Sequence, residues 1–428
     1  MTVAIIGGGY AGMAAAVELA ARDIPVTVFE AAPALGGRAR RVTINDTALD
    51  NGLHILIGAY SETLRLIEKV APGRDSFLRL PLDLQVHQRF RLRAAKLPAP
   101  LHVAWALLTA RGLSRADKRA AARFMQAMKQ RSYRLAQDCT VAALLEDYSQ
   151  TIDLIEYLWA PLCIAALNTP MQRASAQVFL NVLRDSLGAG RAASDLLLAR
   201  MDLTTLFPKP AAEYVRARGG HVETGATVER VTQDGSGFSV QAHGQSRHFD
   251  QVICAVPAHH AAALLADIPV LDYTRDAINA LDYEPIHSVW LQFAGAVRLP
   301  APMIGISDSP AQWLFDREAI CGQRGLIGAV ISASGEQVGE AQEALAQRVV
   351  ADIAKNFGPL PKLKWQRVIA EKRATFSCTP DLVRPASITA CKHFFLAGDY
   401  TASDYPATIE AAVRSGLACA GVIIRDKS

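Results

Sequence analysis

Residues 2–30, TVAIIGGGYAGMAAAVELAARDIPVTVFE, decide the fold. A short apolar run (2–6) leads into three glycines, Ala11–Arg22 has helical spacing, and Pro25–Glu30 is a second β-branched run. Strand, helix and strand within about 30 residues is the scale of a parallel crossover. Gly7, Gly9 and Gly12 make a G-x-G-x-x-G between the first strand and the helix. Gly7 permits the tight turn, Gly9 lets a pyrophosphate approach the backbone, and Gly12 lets the helix pack on the strand. Ala11, in the first helical turn, belongs to the same set, since the helix N-terminus there faces the phosphates. Glu30 ends the second strand 18 residues past Gly12, where a carboxylate accepts from a ribose diol. The chain therefore opens with an α/β dinucleotide-binding unit.

Two further motifs refine the ligand. Leu35-Gly36-Gly37-Arg38-Ala39-Arg40 follows that glutamate directly. A domain for NAD alone has no need of a second glycine turn with a guanidinium, whereas Gly37 and Arg38 can hold the outer side of a dinucleotide pyrophosphate. Near the far end, Phe395-Leu396-Ala397-Gly398-Asp399 reads as a strand delivering an acid to a loop, and Pro406–Gly416 (PATIEAAVRSG) opens a helix. Gly398 and Asp399 suit a polyol hydroxyl, and the helix start at Thr408 and Ile409 suits a partial negative charge. A ribityl chain and a flavin C2 carbonyl present those two features, so the three motifs together indicate FAD.

The charge is unevenly spread. Residues 84–134 hold twelve Lys/Arg against the single acid Asp117, a net +11 within a chain of net +4. Leu97, Pro98, Leu101, Val103, Trp105, Leu107 and Leu108 are interspersed and read as exposed. Basic residues mixed with Leu and Trp suit an anionic membrane surface. Nucleic acid is not expected, because neither a recognition module nor regularly spaced stacking aromatics accompany the charge.

Half of the 428 residues are hydrophobic, which excludes a wholly disordered chain, and the length suggests two or three domains. Seven scattered cysteines without a CxxC pair argue against a disulfide framework or zinc ribbon and for a reducing compartment. No apolar run reaches the ~18 residues of a membrane span. The N-terminus lacks a basic n-region, so a cytoplasmic protein, peripheral at the inner face of the cytoplasmic membrane, is expected. There is no metal-ligand spacing. His259 and His260 are adjacent and read as exposed polar residues that diverge on a helix. No G-x-S-x-G hydrolase elbow occurs.

The pattern predicts a mainly helical stretch from about Ser61 to Leu198. Ser61 and Ser114 are expected helix caps, Asp117 completes a box with Ser114, Ser175–Leu187 is helical, and Pro161 should bend or end a helix. Alternating short strands are expected over 221–257, with a hairpin at Gly235–Gly237. Strands at His287–Phe293 and Gly325–Ser332 and helices at Ala341–Phe357 and Thr408–Asp426 complete the reading. An FAD-binding domain assembled from 1–75, 205–265 and 386–428 is expected, with a substrate domain from 76–204 and 266–385.

These motifs resemble the flavin amine oxidase and phytoene desaturase superfamily over nearly the whole chain. Gly37–Arg41, Leu49–Tyr60 (LDNGLHILIGAY) and the GDYT…PATIEAAVRSG ending are similar to the squalene-associated FAD-dependent desaturases of bacterial hopanoid pathways, a group that includes the hydroxysqualene dehydroxylases. The resemblance implies a glutathione-reductase-type Rossmann-like domain beside a largely helical α+β substrate domain. It implies that Val228, in GATVERV, offers backbone to the adenine side, and that Gly52, Leu53 and His54 pass beside the flavin. The implied reaction is reductive dehydroxylation of hydroxysqualene to squalene: loss of water leaves an allylic cation, and hydride from reduced flavin N5 captures it. NAD(P)H binding transiently is one reductant, since no second G-x-G-x-x-G is present. The implied partners are a long-chain isoprenoid, an anionic membrane surface through 84–134 and upstream enzymes of the squalene pathway. Candidate proton donors are His54, Asp50 and Tyr405, with Asp404 beside it. The bland alternatives are a backbone-bonded imidazole for His54 and a loop-anchoring acceptor for Asp50. Two other functions fit the same scaffold: a carotenoid-type desaturase, and a non-catalytic isoprenoid-binding flavoprotein.

Overall fold

The computed structural model describes residues 1–333 and 341–427. Its centre is a five-stranded parallel sheet in the order His221–Thr224, Val26–Glu30, Val3–Ile6, Gln251–Cys254, Phe394–Leu396. Val3–Ile6 is buried at every position, as a parallel strand covered on both faces must be. One face carries the helices Tyr10–Ala20, Pro208–Arg216 and Ile409–Lys427. The first and last of these cross so closely that a Cβ on Gly416 would lie 2.1 Å from the Ala11 carbonyl oxygen. The other face is covered by the antiparallel meander Val228–Asp234, Gly237–Ala242, Gln245–Phe249, whose Phe249 meets Phe29 edge-on at 5.9 Å.

A second, seven-stranded mixed sheet runs Leu363–Phe376, Tyr283–Phe293, Leu326–Ser332, Trp313–Asp316, Met303–Gly305, Asp83–Val86, Phe90–Arg93. The helix Gln342–Phe357 buries Leu345, Val349 and Ile353 against Val289 and Leu291 of that sheet. The helices Leu101–Thr109, Arg115–Gln130, Val141–Asp147, Ala160–Leu167 and Ala176–Leu183 build a separate apolar layer around Trp159. That indole meets Phe124 and Phe179 at 5.2 and 6.4 Å and donates its N–H to Gln150 at 2.9 Å. The fold is thus an FAD-type α/β domain beside an α+β domain.

Several local expectations change. The stretch 61–198 is not mainly helical throughout: Phe77–Leu80, Asp83–Val86, Phe90–Arg93 and Leu196–Ala199 are strands. In Phe90–Arg93 the burial alternates, Phe90 and Leu92 inward and Arg91 and Arg93 outward, which is a strand's period of two hidden within a basic run. Ser61 is not a cap. The helix Ser61–Val70 starts after Tyr60, and Glu410 from the last helix accepts from the Glu62 and Thr63 amides at 3.1 and 2.9 Å. Ser114 does form its box with Asp117. Pro161 falls in the first turn of Ala160–Leu167, where a missing N–H costs little, and a π-turn at Ile155–Trp159 precedes it.

Candidate active site

Two cavities meet the elements singled out by the sequence. The smaller is polar and lies where the glycine turns approach the C-terminal strand. Gly36 N–H donates to the Gly8 carbonyl at 2.9 Å, so the two turns run side by side. A Cβ on Gly37 would stand 3.4 Å from the Gly9 Cα, narrowing the channel between them. Gly7 sits at φ +112, and a Cβ there would lie 2.5 Å from the Ala255 carbonyl oxygen. Gly12 has the same need, its Cβ position falling 2.0 Å from the Gly7 carbonyl oxygen. Glu30 accepts from Gly8 N–H at 2.7 Å and Ala32 N–H at 2.8 Å, which fixes the turn and leaves lone pairs for a ribose. Gly225 and Ala226 donate to the carbonyls of Ala32 and Glu30 at 3.1 and 2.8 Å, which sets Val228 near the same strand end.

Arg38 joins the chain's two ends. Its guanidinium pairs with Asp399 and donates to the Ala374 carbonyl at 2.6 Å. Arg38, Asp399, His259, Tyr283, Arg373 and Tyr400 line this cavity. The Tyr400 hydroxyl is buried there without a hydrogen-bond partner. Two guanidiniums, an orphaned phenol and an acid beside glycine turns fit a dinucleotide pyrophosphate and polyol. Arg373 and His259 escaped the sequence reading, because neither carries a local motif. His259 is half-buried rather than exposed, and its ring lies 4.2 Å from that of His260, so the two do not diverge. Burial, then His260, Arg373 and Arg38, push its pKa down to about 4.

The second cavity is apolar and partly open, with a volume of about 200 Å³. Trp159, Phe179, Leu196, Met303 and Trp313 are among its walls. At one end stand Tyr405, Pro406 and Thr408, and Thr408 accepts from Ala411 N–H at 3.1 Å to cap the last helix. Gly398 N–H, on the loop before it, donates to Ser415 at 2.8 Å. Ile409 begins the helix. Val103 and Leu107 also line the cavity, so these two face inward, whereas Leu101, Trp105 and Leu108 of the same helix face solvent.

The proton-donor candidates separate. Tyr405 is half-buried on the apolar cavity, and Asp404 is exposed with its carbonyl bonded to Asn181. His54 and Asp50 are not among the lining residues of that cavity. His54 bonds the Gly52 carbonyl through Nδ1 at 2.8 Å, and Leu53 N–H donates to Ser288 at 3.3 Å. Burial, and less strongly Arg38, lower the His54 pKa against the raising effect of the Gly52 bond. Asp50 accepts from Leu203 N–H at 2.7 Å, and burial raises its pKa to about 7.

The profile of the family described as flavin containing amine oxidoreductase matches residues 10–424. The chain belongs to that family. Within it, a hydroxysqualene dehydroxylase of Rhodopseudomonas palustris is 30% identical, covering 99% of this chain and 98% of its own. A hydroxysqualene dehydroxylase of Zymomonas mobilis is 28% identical, with 98% of each covered. A zeta-carotene desaturase of Synechocystis is more distant at 25%, covering 100% and 98%. An oxidoreductase from Methanosarcina mazei shares the fold at a TM-score of 0.75 and 15% identity, over 98% of this chain and 99% of that one. The family member is an FAD-dependent oxidoreductase, akin to the hydroxysqualene dehydroxylases. Of the cofactor candidates, Arg38 and Asp399 line the polar cavity and Thr408 the apolar one. Gly7, Gly9, Ala11, Gly12, Glu30, Gly37, Val228 and Gly398 stand on the turns and strand ends described above, and Gly52, Leu53 and Ile409 are on neither lining.

Proposed function

We propose that this flavoprotein reduces an isoprenoid allylic alcohol, hydroxysqualene, to squalene, replacing the hydroxyl with hydride and releasing water. The observation that carries the reading is a cavity lined almost wholly by apolar side chains, with Tyr405 and Thr408 among the few polar groups on it. Such a lining suits a long hydrocarbon with a single hydroxyl. Bound FAD, when reduced, supplies the hydride. The chain's own residues do the rest. Gly7, Gly9 and Arg38 hold the diphosphate, Glu30 the ribose, and Asp399 the polyol. The walls exclude water from a carbon that becomes cationic, which protects it from recapture of hydroxide. A carotenoid-type desaturase would give up a proton as well as a hydride and could use the same polar groups, so the greater similarity to hydroxysqualene dehydroxylases supports the alcohol.

The substrate is a membrane lipid, and we place the tunnel's mouth at the helix Leu101–Thr109. Leu101, Trp105 and Leu108 are exposed beside the basic helix Arg115–Gln130, a face suited to an anionic bilayer.

The test is an anaerobic product assay. FAD-loaded protein, with its flavin spectrum verified, is given hydroxysqualene and either NADPH or a chemical reductant. Squalene in the extract is the expected result. Reduced flavin that persists with no squalene overturns the reading and directs attention to polyene precursors and an electron acceptor.

A further inference from the structure

The apolar cavity has one acidic corner. Among the described residues lining it, Asp185 is the sole carboxylate. A carboxylate facing an apolar wall is unfavourable unless paired, and Arg184 meets it twice, Nε to Oδ1 at 2.7 Å and Nη2 to Oδ2 at 3.1 Å. The backbone explains how it gets there. The helix Ala176–Leu183 runs into a π-turn at Arg184–Gly188. Consecutive residues of an α-helix fan out around its axis, yet Asp185, Ser186 and Leu187 all line the cavity. The wider turn is what presents them together, and π-turns within helices concentrate at functional sites.

The other hydroxyls on the lining are committed elsewhere. Ser186 donates to the Val182 carbonyl at 2.6 Å and Ser194 to the Arg191 carbonyl at 2.8 Å. Thr408 donates to the Pro406 carbonyl at 3.3 Å, and Tyr60 interacts with Thr408. Tyr405 shares this corner of the lining with Asp185, whose charge bears on its hydroxyl. Its loop is fixed from three sides. Asn181 donates to the Asp404 carbonyl and Arg384 to the Tyr405 carbonyl, both at 3.0 Å, and the Arg414 guanidinium lies 5.2 Å from the ring centroid.

We infer that the Tyr405 phenol delivers the proton to the departing hydroxyl, with Asp185, held by Arg184, as the positioning residue that accepts from the substrate hydroxyl and holds its oxygen beside the phenol. The inference rests on an allylic alcohol being the substrate. The Tyr405 O–H bond breaks as an O–H bond forms on the carbinol oxygen. The C–O bond breaks and its electron pair leaves with water. The carbon takes a hydride from reduced FAD, which is thereby oxidised, and the phenolate regains its proton from solvent. Burial, followed by Asp185, raises the Tyr405 pKa, so the phenol keeps its proton through the neutral range.

The experiment is single-turnover oxidation of the reduced holoenzyme, followed by flavin absorbance. The substrates are hydroxysqualene and its acetate ester, whose carboxylate leaves without a proton. Tyr405→Phe is expected to slow the alcohol about a hundredfold, with FAD content and affinity for squalene retained. On the ester, Tyr405→Phe is expected to match the wild type to within about threefold. Asp185→Asn, nearly isosteric, should slow the alcohol by about tenfold and leave the ester unaffected. If Tyr405→Phe reduces the alcohol as fast as the wild type, the inference fails while the reaction stands. Equal slowing on alcohol and ester makes Tyr405 structural and also overturns it. If the wild type reduces neither substrate, the reaction itself is wrong.

Discussion

A carboxyl that titrates near neutrality has the value a general acid needs, but geometry comes before pKa. Asp50 is that case. Its pKa is raised to about 7, first by burial and then by Asp202, against the lowering effects of the Leu203 amide and Arg317. Its oxygen is spent on the Leu203 N–H at 2.7 Å, and the Tyr10 hydroxyl donates to the Leu203 carbonyl, so Asp50 anchors a turn. A carboxyl with a folded pKa above its unfolded value binds an extra proton in the native state. That contribution to stability is full below about pH 4 and is lost as pH rises through 7. Asp50→Asn keeps an acceptor for Leu203 and cannot ionise. Relative to the wild type it is expected to gain stability from pH 5 to pH 8, by on the order of 3 kcal/mol at the upper end. Thermal melts across that range check it, and parallel melting curves for the two proteins would contradict it.

At the scale of elements, the last helix is tied to the helix Ser61–Val70. Glu410 is buried, and it caps Ser61–Val70 through the Glu62 and Thr63 amides, accepts from the Thr63 hydroxyl at 2.7 Å and pairs with Arg414 at 2.7 Å. Truncating it strands these donors. Glu410→Ala is expected to destabilise by about 2–4 kcal/mol, with Glu410→Gln costing less because the amide oxygen still accepts. Calorimetry of both variants checks the order; equal melting temperatures for Glu410→Ala and wild type would refute the cap. None of this was legible in the sequence, where Glu410 and Thr63 stand 347 residues apart. Legibility followed locality. The glycine turn, Glu30 and the 221–254 strands could be read because turn, cap and period lie within a few residues. Arg38 could be read as a phosphate ligand from its glycine doublet, whereas its pairing with Asp399, 361 residues on, is a product of the sheet's topology. Asp185, Arg373 and His259 had no local signal. Asp185 is brought to the cavity by a π-turn, and no residue pattern announces one.

At the scale of the whole molecule, the charge and the tunnel meet on one face. The net charge of +11 over residues 84–134 is partly spent internally, since Arg91 and Arg93 both pair with Asp83. Arg111, Arg115, Arg119 and Arg123 stay exposed. They stand next to a helix that divides its apolar residues, Val103 and Leu107 to the cavity and Leu101, Trp105 and Leu108, at 55%, 48% and 67% exposure, to solvent. Lys118 stitches the two helices by donating to the Leu108 carbonyl at 2.9 Å. Solubility alone gives no reason to expose a tryptophan and two leucines beside a hydrocarbon tunnel. No described helix is long and apolar enough to cross a membrane, and we propose attachment through this surface. Each cation near an anionic surface adds about 1 kcal/mol, and buried leucine and tryptophan side chains add about 1.5–3 kcal/mol each. The two contributions can be told apart. Flotation with anionic vesicles is expected to exceed that with neutral ones and to fall with salt. The variant Leu101→Glu, Trp105→Glu, Leu108→Glu should lose most of the remainder. The same variant should turn over detergent-dispersed substrate normally and bilayer-embedded substrate poorly, because the tunnel walls are untouched. Unchanged flotation of the variant, or equal binding to neutral and anionic vesicles, would remove this face from the route by which the substrate arrives.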